Sequence, residues 1–241
     1  MNVERSVKGD DQPKVLPEEK RYDVERESLS GERALAAWEI ASVTSSFLIA
    51  AWLILPFVGS DRVAWAIPIV MAFVLMFASH RAHGETAREV GWRVDNFFEA
   101  ARLLILPTLG VIVLILLAGW MLGSLRFEGS QLRARFLWLP AWGLLQQYVM
   151  QGFINRRAQL IWGRGWPSIL LVGLIFALLH LPNLWLALAT FTGGLILAYF
   201  YQRVPNLLAP ALSHGLVSLV MVSTLPTTAL HSMRVGFKYF Q

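Results

Sequence analysis

The sequence predicts an all-α fold: a polytopic transmembrane helix bundle of about seven spans, plus an interfacial amphipathic helix. Three observations carry that expectation. The 241 residues are 56% hydrophobic and 15% charged, with a mean hydropathy of +0.52. Average globular chains carry about 25% charged residues, so this chain has too little charge to cover a water-facing surface. Seven near-uncharged runs approach or reach the roughly 17–25 residues that a bilayer crossing needs. Charge is also segregated along the chain. Residues 1–128 hold 13 Lys+Arg and all 16 acids, residues 129–241 hold 8 Lys+Arg and no acid, and Glu128 is the last carboxylate. Cysteine is absent, which excludes disulfides, thiolate metal sites and cysteine nucleophiles.

Residues 1–35 form a polar segment with charges of both signs and little apolar periodicity. It cannot bury enough apolar surface to fold alone and is expected to be a disordered or loosely helical cytoplasmic tail. No apolar run follows a short basic start, so it does not read as a signal peptide. The seven expected spans are 38–58, 63–79, 103–124, 136–154, 166–181, 184–201 and 207–223. Trp38, Trp120, Trp166 and Trp185 fall near span ends, where amphipathic rings prefer the headgroup level. The fifth run is short and ends in His180-Leu181-Pro182. Between the second and third spans, Val90, Val94, Phe97, Phe98 and Leu103 recur at helical spacing with charges between them, which predicts an interfacial helix leading into the third span.

Basic residues set the expected orientation. A cytoplasmic N-terminus puts 15 of the 21 Lys+Arg on the cytoplasmic side, as the positive-inside tendency requires, and seven spans then put the C-terminus outside. The chain divides into a tail (1–35), N-terminal spans with the interfacial helix (36–130), core spans (131–223) and a C-terminal tail (224–241).

Polar side chains at membrane depth are costly and normally face a bundle interior or a wet cavity. The fourth run carries Gln146, Gln147 and Gln151, with Gln147 and Gln151 one turn apart on one face. The fifth carries Phe176 and His180. The seventh carries His214, with Ser218 one turn further on. Gln, His and Ser can also simply join helices, at about 0.6–2 kcal/mol per hydrogen bond. Three glutamines and two histidines concentrated in three spans favour a shared site.

From about Arg88 to Val222 the chain resembles the CPBP family, the CAAX-protease and bacteriocin-processing intramembrane endopeptidases. That family's pattern is a Glu-Glu-x-x-x-Arg helix, a Phe-x-x-x-His helix and a later His-x-x-x-Asn helix. Phe176 and His180 in FALLHLPN match the second motif, and GGLILAYFYQRVPNLLAPALSHG is similar to the link into the third, ending at His214. Gln146 and Gln147 stand where the family has its glutamates, Gln151 where it has arginine, and Ser218 where it usually has Asn. The resemblance implies that the first glutamate activates water with help from two histidines, and that the second glutamate and the arginine support the site.

Gln is nearly isosteric with Glu but cannot hold a proton taken from water, and loss of a positioned general base costs about 10²–10⁴-fold. A lone loss of Glu at 147 would strand a buried Arg at 151, at about 3–5 kcal/mol. Here both positions are neutral, and the one-turn spacing of Gln147 and Gln151 allows them to hydrogen-bond to each other. The implied protein sits in a membrane of bacterial inner (cytoplasmic) type. It binds a peptide or membrane-protein segment in a polar intramembrane cavity without ordinary catalysis, and requires neither a cofactor nor a nucleic-acid partner. The alternatives are an active peptidase using His180 and His214 with a non-standard base, and a transporter-like bundle, whose broken-helix repeats are not visible in the sequence.

Other polar positions read more plainly. His80-x-x-His83 reads as a solvated loop, Glu39 and Glu99 as helix-end charges, and His231 as surface. No metal site is expected, because two buried histidines with amides lack the usual Cys, Asp or Glu ligands of zinc. Gly193-Gly194 reads as a close helix contact. Pro140, Pro182, Pro205 and Pro210 read as kinks and span ends.

Overall fold

The computed structural model describes residues 18–58, 62–125 and 129–241, and among them there are helices and turns but no strand. The expectations for residues 1–17, for Arg126 and for Glu128 lie outside the described residues.

From Glu18 the chain is helical. Helix α1 (Glu18–Leu48) runs through a π-helical stretch (Ile49–Ile54) into α2 (Leu55–Val58). The part of the tail after Glu18 is helical and continuous with the first span, the helical one of the two expected states, and residues 26–35 are all exposed. Helix α3 is Arg62–Ala82, α4 Ala87–Val90, α5 Phe97–Met121 and α6 Gly129–Gln147. A second π-helical stretch (Tyr148–Asn155) joins α6 to α7 (Arg156–Trp162). Helices α8 (Trp166–Leu178), α9 (Leu184–Arg203), α10 (Leu208–Thr224) and α11 (Thr227–Leu230) follow.

Each of the seven apolar runs lies on one of these rods. Three stretches, Arg26–Phe57, Phe97–Met121 and Leu184–Arg203, are long and apolar enough to cross a membrane, and Ala66–Ala82, Trp166–Leu178 and Leu208–Thr224 are shorter apolar helices. The flanks of α5 show why this surface suits lipid. Leu106, Leu114, Trp120 and Met121 are all at least two-thirds exposed, which in water would be an aggregation hazard. Together with the apolar composition this defines an integral membrane protein.

The rod α6–π–α7 is the axis of the bundle. Residues 149–155 are all buried. Val149, Met150, Phe153 and Ile154 pack against Ile40 and Val43 of α1, Ala72 and Met76 of α3, Ile169, Val172 and Phe176 of α8, and Ala198 of α9. Two glycine contacts set the spacing around this axis. A Cβ on Gly215 would fall 2.9 Å from the Pro140 backbone, and one on Gly143 would fall 3.0 Å from the Ala211 carbonyl. Helices α6 and α10 therefore touch backbone to backbone, as small residues permit in membranes. Gly194 likewise abuts Gly173 across the α8–α9 hairpin, whereas Gly193 has open space beside it. Of the expected Gly193-Gly194 contact, Gly194 alone makes the close approach.

The interfacial lead-in is broken rather than one helix. Thr86 and Glu89 form a capping box that starts α4, and Gly91, at φ +101°, ends it after one turn. A positive φ is the conformation glycine adopts at little cost. The Gly91 carbonyl accepts from Leu207 N (2.9 Å), and Asn206 Nδ2 donates to the Arg93 carbonyl (2.9 Å). These bonds staple the connector to the α9–α10 turn.

Candidate functional site

The backbone contact between α6 and α10 decides what meets at their crossing. Gln147 lies one turn beyond Gly143, and His214 is adjacent to Gly215. The result is a hydrogen bond from Gln147 Nε2 to His214 Nδ1 at 2.9 Å. His180 is not on a helix. It follows the end of α8, and its Nδ1–H donates to the Phe176 carbonyl at 2.7 Å, which fixes the tautomer and leaves Nε2 as the basic nitrogen. The Phe176 ring meets His180 at 5.0 Å and His214 at 5.6 Å between centroids. Phe176 is therefore the wall that both imidazoles flank.

The remaining motif positions divide. Gln151 is fully buried on the same rod, but it is not bonded to Gln147. Its Oε1 accepts from Asn155 Nδ2 at 2.9 Å, while Gln151 Nε2 and Gln147 Oε1 are buried without partners. The Gln147–Gln151 bond that the spacing allows is absent because each amide is drawn the other way, one to His214 and one to Asn155. Gln146 is half-buried, and among the described residues no hydrogen bond joins it to the histidines. Ser218 is buried one turn past His214, also outside the bonded set.

Asn155 opens a second set of residues that the sequence reading missed. Its Oδ1 accepts from Gln202 Nε2 (2.9 Å) and Gln159 Nε2 (3.1 Å). Gln202 also donates to Ser168 Oγ (2.8 Å) and accepts from the Gly165 backbone N–H (2.9 Å). The signal was legible: Gln147, Gln151, Asn155 and Gln159 recur every four residues, a polar stripe on one helical face.

A third cluster lies further along the rod, and there two expectations fail. Arg157 on α7 has no exposed surface, and its Nε lies 2.7 Å from Glu39 Oε2 of α1. Its Nη2 donates to Glu85 Oε2 (2.8 Å) and to Ser79 Oγ (2.8 Å). Glu39 is thus one half of a buried ion pair rather than a plain helix-end charge. His80 lies in the last turn of α3 and is buried, with Nδ1–H donating to Glu85 Oε2 at 2.6 Å, while His83 lies 3.5 Å from Glu39. The pair is no solvated loop, because Glu85 draws the start of the α3–α4 turn inward. Arg156 Nε also donates to Glu85 Oε1 (2.7 Å).

Burial would raise the Glu85 pKa. The hydrogen bonds from His80 and Arg157, with the charges of Arg157 and Arg156, outweigh it and hold the carboxyl well below the usual carboxylate range. Among the described residues no group of three or more His, Cys, Asp or Glu has the arrangement to hold a metal ion.

An apolar cleft of about 510 Å³ opens between the start of α5, α6 and α10, lined by Phe97, Phe98, Pro140, Leu144, Leu208 and Ala211 among others. Leu144 and Ala211 lie one turn from Gln147 and His214, which do not themselves line the cleft.

Fold and site together define an integral membrane helix bundle with a buried amide–imidazole centre. Residues 130–220, from α6 through most of α10, match the family model described as Rce1-like, type II CAAX prenyl endopeptidase Rce1-like, which is consistent with the CPBP family. No curated protein and no solved structure matches the chain.

Proposed function

We propose that the protein is a non-proteolytic relative of the CAAX-type intramembrane endopeptidases. In this reading it holds a peptide or membrane-protein segment at the Gln147–His214–His180 centre without cutting it. The reading also puts it in an inner, cytoplasmic-type membrane with the N-terminus inside, following the bias of the basic residues.

One observation carries the reading. His214 takes its hydrogen bond from a Gln147 amide, a group that cannot accept a proton from water, whereas the carboxylates Glu39 and Glu85, which meet the rod at α7, are held by Arg156 and Arg157. A base for water activation must be free to take a proton and return it, and neither carboxylate is. The apolar cleft beside the centre gives a membrane segment a lateral way in.

The test uses the full chain in vesicles with a prenylated CAAX peptide and a panel of single-span peptides. The natural sequence is compared with His180→Ala and with the triple change Gln146→Glu, Gln147→Glu, Gln151→Arg. The expected result is no cleavage by the natural sequence while labelled peptide stays associated with it. Cleavage by the natural sequence that His180→Ala abolishes would overturn the proposal.

A further inference from the structure

The Gly165 backbone N–H can only donate, so the Gln202 atom it meets at 2.9 Å is the carbonyl oxygen. Gln202 Nε2 is then the donor toward Asn155 Oδ1 (2.9 Å), and Asn155 Nδ2 the donor toward Gln151 Oε1 (2.9 Å). One fixed N–H at the edge of the bundle therefore sets the direction of three amides in series. Each donates toward the centre, and chains of this kind polarise one another. The last of them, Gln151 Nε2, is a donor with no partner. One turn away, Gln147 spends its N–H on His214 and leaves Oε1 as an acceptor with no partner.

Both side chains are fully buried, and an unsatisfied buried polar atom costs about 1–3 kcal/mol. The local backbone keeps the two amides from closing on each other. Gln147 stands at the start of the π-helical stretch and Gln151 lies within it, where i→i+5 bonding replaces the ordinary turn. Such π-helical turns recur at functional sites.

We propose that Gln147 and Gln151 together recognise one neutral carboxamide group of a membrane-embedded ligand, with Gln151 donating to its oxygen and Gln147 accepting from its N–H. Asn155, Gln202 and Ser168 are positioning residues that fix Gln151 as the donor. The inference rests on the client-binding reading above and adds what the centre reads. A carboxylate offers no N–H for Gln147, an ammonium offers no acceptor for Gln151, and an all-apolar segment leaves both amides unmet. A carboxamide reaches membrane depth in two forms, an Asn or Gln side chain or a backbone peptide unit freed where a span is unwound.

The experiment uses the full chain in phosphatidylcholine–phosphatidylglycerol vesicles. Because the chain has no cysteine, one cysteine introduced on the exposed part of α1 takes the donor dye. Acceptor-labelled poly-Leu spans carry at their centre Asn, a Gly-Pro step or Leu. The expected result is association about tenfold tighter for the Asn or the Gly-Pro span than for the Leu span, and the arm that prevails identifies the source of the carboxamide. Gln151→Met should bring the preference within about twofold of the Leu span, while Thr192→Ala, on the exposed side of α9, should retain it.

If all three spans associate equally, client binding stands and carboxamide recognition falls. Should none associate with folded protein, the client reading itself falls. A preference that survives Gln151→Met overturns the assignment. If Gln151→Met does not fold, the unaltered chain decides: with ¹⁵N-Gln labelling, the Asn span or the Gly-Pro span must shift two glutamine side-chain NH₂ signals, and no shift with either overturns the proposal.

Discussion

Two polar regions share the central rod of this bundle, and they meet the cost of burial in opposite ways. One face of the rod carries the uncharged amides Gln147, Gln151, Asn155 and Gln159, the last three joined by hydrogen bonds. At Arg156 and Arg157, which fall between Asn155 and Gln159 in the chain, the rod meets full charges: Glu39 of α1 and Glu85 of the α3–α4 turn, with His80 and His83 beside them. A charge taken from water is tolerated when it is paired and hydrogen-bonded, and the charged cluster supplies a carboxylate for each arginine. The amide region has no such partner within reach, and it has no charge. The contrast teaches that this chain keeps ionic chemistry at the end of the rod where α1, the α3–α4 turn and α7 converge. At mid-rod, where the family resemblance implies glutamate and arginine, it keeps neutral hydrogen bonding.

Breaking the charged end should have the largest effect. Arg157→Met leaves Glu39 without its arginine and Glu85 with Arg156 alone, at an expected cost of about 3–5 kcal/mol in unfolding by denaturing detergent from mild micelles. Adding Glu39→Gln and Glu85→Gln to Arg157→Met should recover most of that loss. A loss below about 1 kcal/mol for Arg157→Met alone would mean the cluster is solvated after all.

Glu85 sharpens the comparison through pH. Its carboxyl is held below the usual range in the folded protein, so the folded state binds the proton less readily than the unfolded state. The resulting stability is fully present above the unfolded pKa and is lost as pH falls from there toward the depressed folded value. Glu85→Gln should cost about 1.5–3 kcal/mol at neutral pH and should flatten the acid limb of the stability profile. An unchanged acid limb in the variant would assign that limb to other carboxylates.

The seven rods were legible because run length and hydropathy are local properties, and a near-uncharged stretch needs no tertiary knowledge to be read as a helix. Gln146, Gln147, Gln151, His180 and His214 stood out in the sequence because their types are costly at membrane depth, and of these Gln147 bonds His214 while both histidines flank Phe176. What the sequence could not disclose were partners far apart along the chain. Glu85 and Arg157 are 72 residues apart, and neither has a helical neighbour that would mark the pair. His80 and His83 read as solvated because nothing in their own segment shows that the turn to Glu85 folds inward. A Gln147–Gln151 bond was allowed by spacing alone. It failed because Asn155 and His214, one on the same stripe and one on another helix, compete for the same amides.

The backbone contact that brings the two halves of the amide centre together gives a third, smaller effect. Gly215→Ala puts a methyl group 2.9 Å from the Pro140 backbone, so α6 and α10 must separate. Overpacking of this kind costs about 1–3 kcal/mol, and it should also stretch the Gln147–His214 bond, visible as a changed His214 imidazole signal by NMR. Gly193→Ala, with open space around its Cβ, should alter neither. Equal effects at both glycines would show that helix propensity rather than helix approach is being measured.

The smallest expected stability change falls on the amides themselves. Each carries one bond at mid-rod, Gln147 to His214 and Gln151 to Asn155, and such bonds in membranes are worth about 0.6–2 kcal/mol. Gln151→Leu removes the end of the relay but also removes an unpartnered donor, so the two effects oppose and the net change should be under about 1 kcal/mol. Asn155→Leu removes the middle of the relay, strands the Gln151 carbonyl and takes one of its two side-chain acceptors from Gln202 Nε2, and should cost more than Gln151→Leu. That ordering separates a directed relay from a loose collection of polar contacts. In a loose collection the residue with fewer bonds and the residue with more would differ only by their count, and Asn155→Leu combined with Gln151→Leu would add. In a relay the double variant should cost less than the sum, because the group stranded by the first change is deleted by the second.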